Sequence, residues 1–184
     1  GLLGLQQRIL PAYRAPFLDR LADACAGGLS VFAGAPAPGE ARGESGTLRV
    51  AHHIPARNQH ILHGWAYLCH QQGFVRWLEA WDPAALIVEA NWRYLSTQRG
   101  VGWMHARGRP VLAWGLGAPW MAGRHASIAR IPFRQFLHRF DGLIAYSSRG
   151  AEEYASVGFP RDRIFVAPNA VLPAPSRLTA RPPL

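Results

Sequence analysis

The sequence predicts an α/β fold, one mostly parallel sheet with helices on both faces, and three observations carry that expectation. Short β-rich runs alternate with longer helix-like stretches along the chain, the pattern that right-handed βαβ crossovers produce. Leu86-Ile87-Val88 and Val111-Leu112-Ala113 are continuous apolar runs, as in parallel strands buried on both faces. Hydrophobic residues make up 49% of the 184 residues and charged residues 17%, which suits one packed core and argues against disorder.

Taken in order, Arg8-Ile9-Leu10 reads as a clipped first strand that ends at Pro11. Phe17 to Ala26 is helical, with Phe17, Leu18, Leu21, Ala22 and Cys25 at helical spacing, and Gly27-Gly28 stops it. Leu29 to Ala33 is the second strand. A Gly/Pro-rich loop then leads to the third, Leu48 to Ala51. His60 to Trp81 is expected to be one long helix, ended where Asp82-Pro83 forbids continuation. Ala85 to Val88 is the fourth strand, Tyr94 to Arg107 a helix containing Gly100 and Gly102, and Pro110 to Trp114 the fifth strand. Helix Ile131 to Phe140, strand Leu143 to Ala145, helix Ala151 to Ser156 and strand Ile164 to Ala167 complete a Rossmann-like alternation over residues 1–171. Residues 172–184 carry Pro173, Pro175, Pro182 and Pro183 and read as an extended linker.

The net charge of +9 raises nucleic acid as a partner, but every basic residue is Arg and none adjoins another. That scatter, with the abundant Ala, Gly and Pro, looks like compositional bias, and no nucleic-acid partner is expected. Cys25 and Cys69 match no metal or redox spacing and are expected to be reduced. No signal pattern opens the chain and no apolar run is long enough to span a bilayer. The expectation is a cytoplasmic protein, with peripheral association at the inner face of the membrane left open. The chain does not begin with Met and is expected to be part of a longer protein.

Ligands of open parallel sheets bind beyond the carboxyl ends of the strands, so the residues that follow each strand are the candidates. They are Tyr13 and Arg14 after the first, His52 and His53 after the third, Glu89, Asn91, Trp92 and Arg93 after the fourth, Trp114, Gly115 and Gly117 after the fifth, and Tyr146, Ser147 and Ser148 after the sixth. Such a mixture suits a carbohydrate, whose C–H faces stack on aromatic rings while Arg, Asn and Glu bond its hydroxyls. Each residue also has a plainer reading as a loop side chain, and Ser147 and Ser148 as helix N-caps. Arg14, Arg93 and Arg124 are candidates to hold an anionic acceptor or a donor phosphate. His60, His63 and His70 would share one face of the expected long helix, yet no acid or Cys completes a zinc spacing, and no metal is expected. A Walker loop is excluded by the absence of Lys. A dinucleotide fingerprint lacks its third Gly after Gly117, and Ser147 lacks the flanking glycines of a nucleophile elbow.

Several short motifs, in this order, resemble the N-terminal domain of retaining GT-B glycosyltransferases of the family-4 type. Leu10-Pro-Ala-Tyr-Arg-Ala-Pro-Phe17 resembles their first-strand turn, and Asp82-Pro83-Ala84-Ala85-Leu86-Ile87-Val88-Glu89 their Pro-Asp-Val-Val strand entry. Trp114-Gly-Leu-Gly117 is similar to a Trp-Gly-His-Gly strand end, with Leu116 in the place of the histidine. The run from Asp141 to Asn169 resembles the strand, helix and strand that close the domain. The resemblance implies an acceptor-side domain that lends Tyr13, Arg14, His53, Glu89, Asn91, Trp114, Gly115, Arg124, Ser147 and Ser148 to an interdomain cleft. It further implies that the nucleotide-sugar donor binds mainly to a second Rossmann-like domain absent from this chain, that the hinge to it lies at Asn169, that no other cofactor is needed, and that this chain alone is inactive. The alternative is a non-catalytic binding domain of the same fold.

Overall fold

The structure is a computed structural model and describes residues 1–37, 39–40, 46–62, 67–118 and 126–168, with the backbone alone over 126–130. Chain order runs β1 (Leu3–Ile9), α1 (Ala15–Ala24), β2 (Leu29–Gly34), β3 (His52–Ile61), β4 (Leu68–Gln72), α2 (Phe74–Trp81), β5 (Ala85–Glu89), α3 (Leu95–His105), β6 (Val111–Gly115), α4 (Ala126–Leu137), β7 (Gly142–Ala145), α5 (Ser148–Ser156) and β8 (Ile164–Val166). The strands form one sheet in the order β4-β3-β2-β1-β5-β6-β7-β8. Every pairing is parallel except β3 with β4. This is the α/β, Rossmann-like class that the alternation of elements predicts.

Side chains alternate between the sheet's two faces, and each face feeds its own core. On one, Leu5, Leu29, Val31 and Ala33 meet Leu18 and Ala22 of α1. On the other, Phe32, Leu86, Val88, Val111, Ala113, Leu143 and Ala145 are covered by Phe74, Trp77 and Leu78 of α2, Val101 and Met104 of α3, Phe136 and Leu137 of α4, and Tyr154 of α5. Gly100 lies mid-helix because α2 and α3 touch there: a Cβ on it would sit 2.2 Å from a carbon of the Phe74 ring. Close helix contact outweighs the helix propensity that Gly forgoes.

The region 48–81 departs from expectation. Leu48 to Ala51 is not a strand; β3 begins at His52 and runs to Ile61. His60 to Trp81 is not one helix: β3 ends within it, β4 follows, and only Phe74–Trp81 is helical, entered through Gly73 at φ 82. The polar residues that mimic a solvated helix face are instead strand residues whose amides bond other strands. His60 and His70 stand on neighbouring antiparallel strands, and His63 lies outside the described residues, so the shared helix face does not exist. β1 also starts earlier than expected, at Leu3, because Gln6 and Gln7 are strand residues although polar. The Pro-rich stretch 172–184 and Asn169 lie outside the described residues.

Candidate functional site

With β1 in the middle of the sheet, the chain first builds outward to β2, then returns to β1's other edge at β5. The connections that leave β1 and β5 therefore diverge, and a crevice opens beyond their carboxyl ends. A cleft of about 730 Å³ lies there, with Tyr13, Arg14, Glu89, Asn91, Trp92, Arg93, Trp114, Gly115, Leu116 and Tyr146 among its walls. A smaller hollow of about 230 Å³ beside Arg134 and Val157 holds none of the expected residues.

Pro11 ends β1 and leads into a tight turn, Ala12–Arg14, and Pro16 then starts α1. This turn leaves Tyr13 half exposed at the rim and folds Arg14 inward to 8% exposure. The Arg14 guanidinium carbon lies 5.0 Å from the centre of the Trp114 ring, 5.4 Å from that of Tyr146 and 5.8 Å from that of Tyr13. Its Nη2 donates to the Tyr146 hydroxyl at 2.7 Å. Trp114 also packs against Phe17 and Tyr146, with centroids 5.6 and 5.3 Å away. Two N–H donors in this cluster, Arg14 Nε and Trp114 Nε1, are buried and meet no acceptor among the described residues.

Glu89 ends β5 with its carboxylate in the interior, although the residue as a whole keeps partial exposure. It accepts a hydrogen bond from the backbone N–H of Arg8 at 2.8 Å, and burial pushes its carboxyl above the usual range. The Glu89 backbone N–H donates to Gln6 Oε1 at 3.2 Å, and the Gln6 amide donates to Gln71 Oε1. Gln71 in turn donates to the Gln7 carbonyl at 3.0 Å and to Asn58 Oδ1 at 2.9 Å, while Asn58 donates to the Arg8 carbonyl at 2.7 Å. A chain of amides thus links β4 and β3 to the acid in the cleft. Beside it, Arg8 pairs with Glu40 and draws that carboxyl down to about 2.

Tyr13, Arg14, Glu89, Asn91, Trp114 and Gly115 therefore come together as expected from the strand ends. Asn91 also shapes its loop, accepting from the Arg93 N–H at 3.1 Å. Gly115 is required because a Cβ would lie 2.5 Å from the Tyr154 hydroxyl. Ser147 and Ser148 stand back from the cleft: Ser147 is the N-cap of α5, accepting from Gly150 N–H at 3.1 Å, and Ser148 opens the helix. His53 does not face the cleft. It lies at the beginning of β3, level with Val31, and its Nε2 donates to the Ala33 carbonyl at 3.1 Å. Arg124 lies outside the described residues. Tyr146, Trp92 and Arg93 follow expected strands and line the cleft, whereas the amide chain behind Glu89 was hidden by the helical reading of 60–81.

Among the described residues no group of three or more His, Cys, Asp and Glu could hold a metal ion, and no helix is long and apolar enough to cross a membrane.

The fold and its crevice define an α/β domain of the kind that holds ligands at a topological switch point. Among solved structures, the chain is similar to HepE from Anabaena in complex with UDP and glucose, with 14% identity and a TM-score of 0.56 over 91% of this chain and 44% of that one. It is also similar to UDP-GlcNAc 2-epimerase from Neisseria meningitidis bound to UDP-GlcNAc, with 12% identity and a TM-score of 0.50 over 92% of this chain and 46% of that one. At such identities the likeness is one of fold, and the chain spans less than half the length of either protein. No family model matches the sequence, and no curated protein matches it.

Proposed function

We propose that this chain is the acceptor-side half of a retaining GT-B glycosyltransferase, which moves a sugar from a nucleotide-sugar donor to a glycan, lipid or small-molecule acceptor. The observation that carries the reading is the cleft at the switch point, walled by Tyr13, Trp92, Trp114 and Tyr146 and furnished with Arg14, Glu89, Asn91 and Arg93. Aromatic faces of this kind stack on sugar rings, and the polar groups between them fix hydroxyl orientation. Two solved structures that share the fold contain UDP with glucose and UDP-GlcNAc, and the span of less than half their length agrees with a domain that has a counterpart.

In this reading the donor diphosphate belongs mainly to the second domain, and Asn169 with residues 172–184 forms the connection to it. The exposed Trp92 and Leu116 at the cleft rim are then surfaces that the second domain closes over. No residue of this half is assigned to the bond-making step. Calorimetry of the 184-residue chain with a panel of nucleotide sugars tests the assignment. The expected result is no saturable binding tighter than about 1 mM. Tight binding would place the donor site in this half and remove the acceptor-side reading.

A further inference from the structure

We propose that the cleft takes a sugar bearing an anionic group, a carboxylate or a phosphoryl, and that Arg14 supplies the countercharge. The inference rests on reading the cleft as an acceptor site, and it adds the chemical class of the acceptor.

Arg14 makes no direct ion pair among the described residues. It is 8% exposed, and a guanidinium keeps its proton at any physiological pH. Buried charges in folded proteins are paired, because desolvation of a lone ion is costly. Among the described residues the ion pairs are made by Arg8, His105, Arg109, Arg149 and Arg161, and Arg14 makes none. Its immediate surroundings are three aromatic rings and the neutral hydroxyls of Tyr146 and Tyr13, with Nε left over.

Arg8 provides the internal comparison. It stands six residues earlier, at the end of the same central strand, and is also largely buried, yet the fold supplies Glu40 to face it through two hydrogen bonds. The acid on the cleft wall, Glu89, accepts from the Arg8 backbone N–H and feels the Arg14 charge without pairing directly with it, while burial, the larger effect, favours its neutral form. Arg93, half buried against Trp92, likewise makes no ion pair among the described residues. The cleft therefore carries an excess of positive charge beside sugar-stacking rings. A neutral sugar would leave the Arg14 charge uncompensated. A carboxylate or phosphoryl group would meet a planar, donor-rich fork of matching geometry.

The test titrates glucose, glucuronate, glucose 6-phosphate and UDP separately into the full chain, following the Trp114 indole N–H resonance, assigned by its loss in Trp114→Phe. The expected result is saturable binding of glucuronate or glucose 6-phosphate about tenfold or more tighter than glucose. The stronger of the two tells carboxylate from phosphoryl. Arg14→Gln removes the preference, whereas Arg14→Lys, which keeps the charge and guards against misfolding as the cause, retains part of it. Equal affinity for glucose and both anionic sugars overturns the proposal. So does an anion preference that survives in Arg14→Gln, or a resonance that no probe moves. If UDP binds tightest and Arg14→Gln abolishes it, the anion site stands and the acceptor-side reading falls. If the anion preference fails while nucleotide sugars also fail to bind, the proposal falls and that reading stands.

Discussion

Arg14 and Trp114 stand 100 positions apart in the chain, yet the guanidinium carbon of one lies 5.0 Å from the ring centre of the other. The first ends the turn after β1 and the second belongs to β6, so only the strand order of the sheet makes them neighbours. The cleft is a product of topology, and its stability is coupled to the packing behind it.

Trp114→Ala should destabilise the protein by about 3–5 kcal/mol, since the ring fills the space between Phe17, Arg14 and Tyr146. Trp114→Phe should cost clearly less. Urea unfolding of both variants checks this, and equal losses would mean that the ring edge, with its unpaired N–H, matters more than its volume.

Two glycines of α3 should respond in opposite directions. A Cβ at Gly100 would strike Phe74, so Gly100→Ala should lower stability by about 1–3 kcal/mol. Gly102 has no atom within 4 Å of its virtual Cβ, so Gly102→Ala should raise stability by about 0.5–1 kcal/mol through helix propensity. Thermal melts of the pair give the signs directly; a loss at both positions would count against the described contact between α2 and α3.

Ser147→Ala should cost about 1 kcal/mol through loss of the α5 cap while leaving sugar binding intact. Binding that fell with stability unchanged would give Ser147 a place on the ligand surface that its capping geometry does not indicate.

Stability against pH carries two opposed contributions. Arg8 lowers the Glu40 carboxyl, so that pair stabilises the fold above the ordinary value of 4.5 and is lost as pH falls towards about 2. Because Glu40 is more than a third exposed, Glu40→Gln should cost no more than about 1 kcal/mol at pH 7. Burial raises the Glu89 carboxyl, so its contribution is complete below 4.5 and declines as pH rises through the folded value. Glu89→Gln should therefore stabilise the protein at pH 7 relative to pH 4. Denaturant titrations across this range decide the matter, and a Glu89→Gln variant weaker at pH 7 would mean that the carboxylate is ionised and well solvated by its donors.

Strands whose burial is two-sided were legible in the sequence. Val31-Phe32, Leu86 to Val88 and Val111 to Ala113 announce themselves because both faces are covered, one fully and the other at least in part, at Ile87 and Leu112. β3 gave no such signal: it is largely exposed, contains Pro55 and pairs through backbone and amide groups that hydropathy does not register. That single misreading explains the misplaced histidine, since displacing β3 along the chain turned the start of a strand into its end. The cleft itself was legible for Tyr13, Arg14, Glu89, Asn91 and Trp114, whose strands were located closely enough for the carboxyl-end rule to apply. Burial of Arg14 and the amides linking Gln71 to Glu89 needed three-dimensional neighbours that sequence spacing does not reveal.

The central position of β1 has a consequence for how the chain acquires its shape. Leu3 pairs with Leu29 on one side and with Ala85 on the other, so one edge of β1 waits unsatisfied until the chain has been made as far as β5. Pairings of such sequence separation are slow, because the loop must close before any contact rewards it. Tyr146, the last ring around Arg14, arrives later still. During refolding we expect secondary structure to precede any ability to bind a sugar, with far-ultraviolet circular dichroism leading the Trp114 signal in time. On that account the cleft reports the completion of the whole sheet, and a newly made chain passes through an interval in which it has most of its structure and none of its recognition.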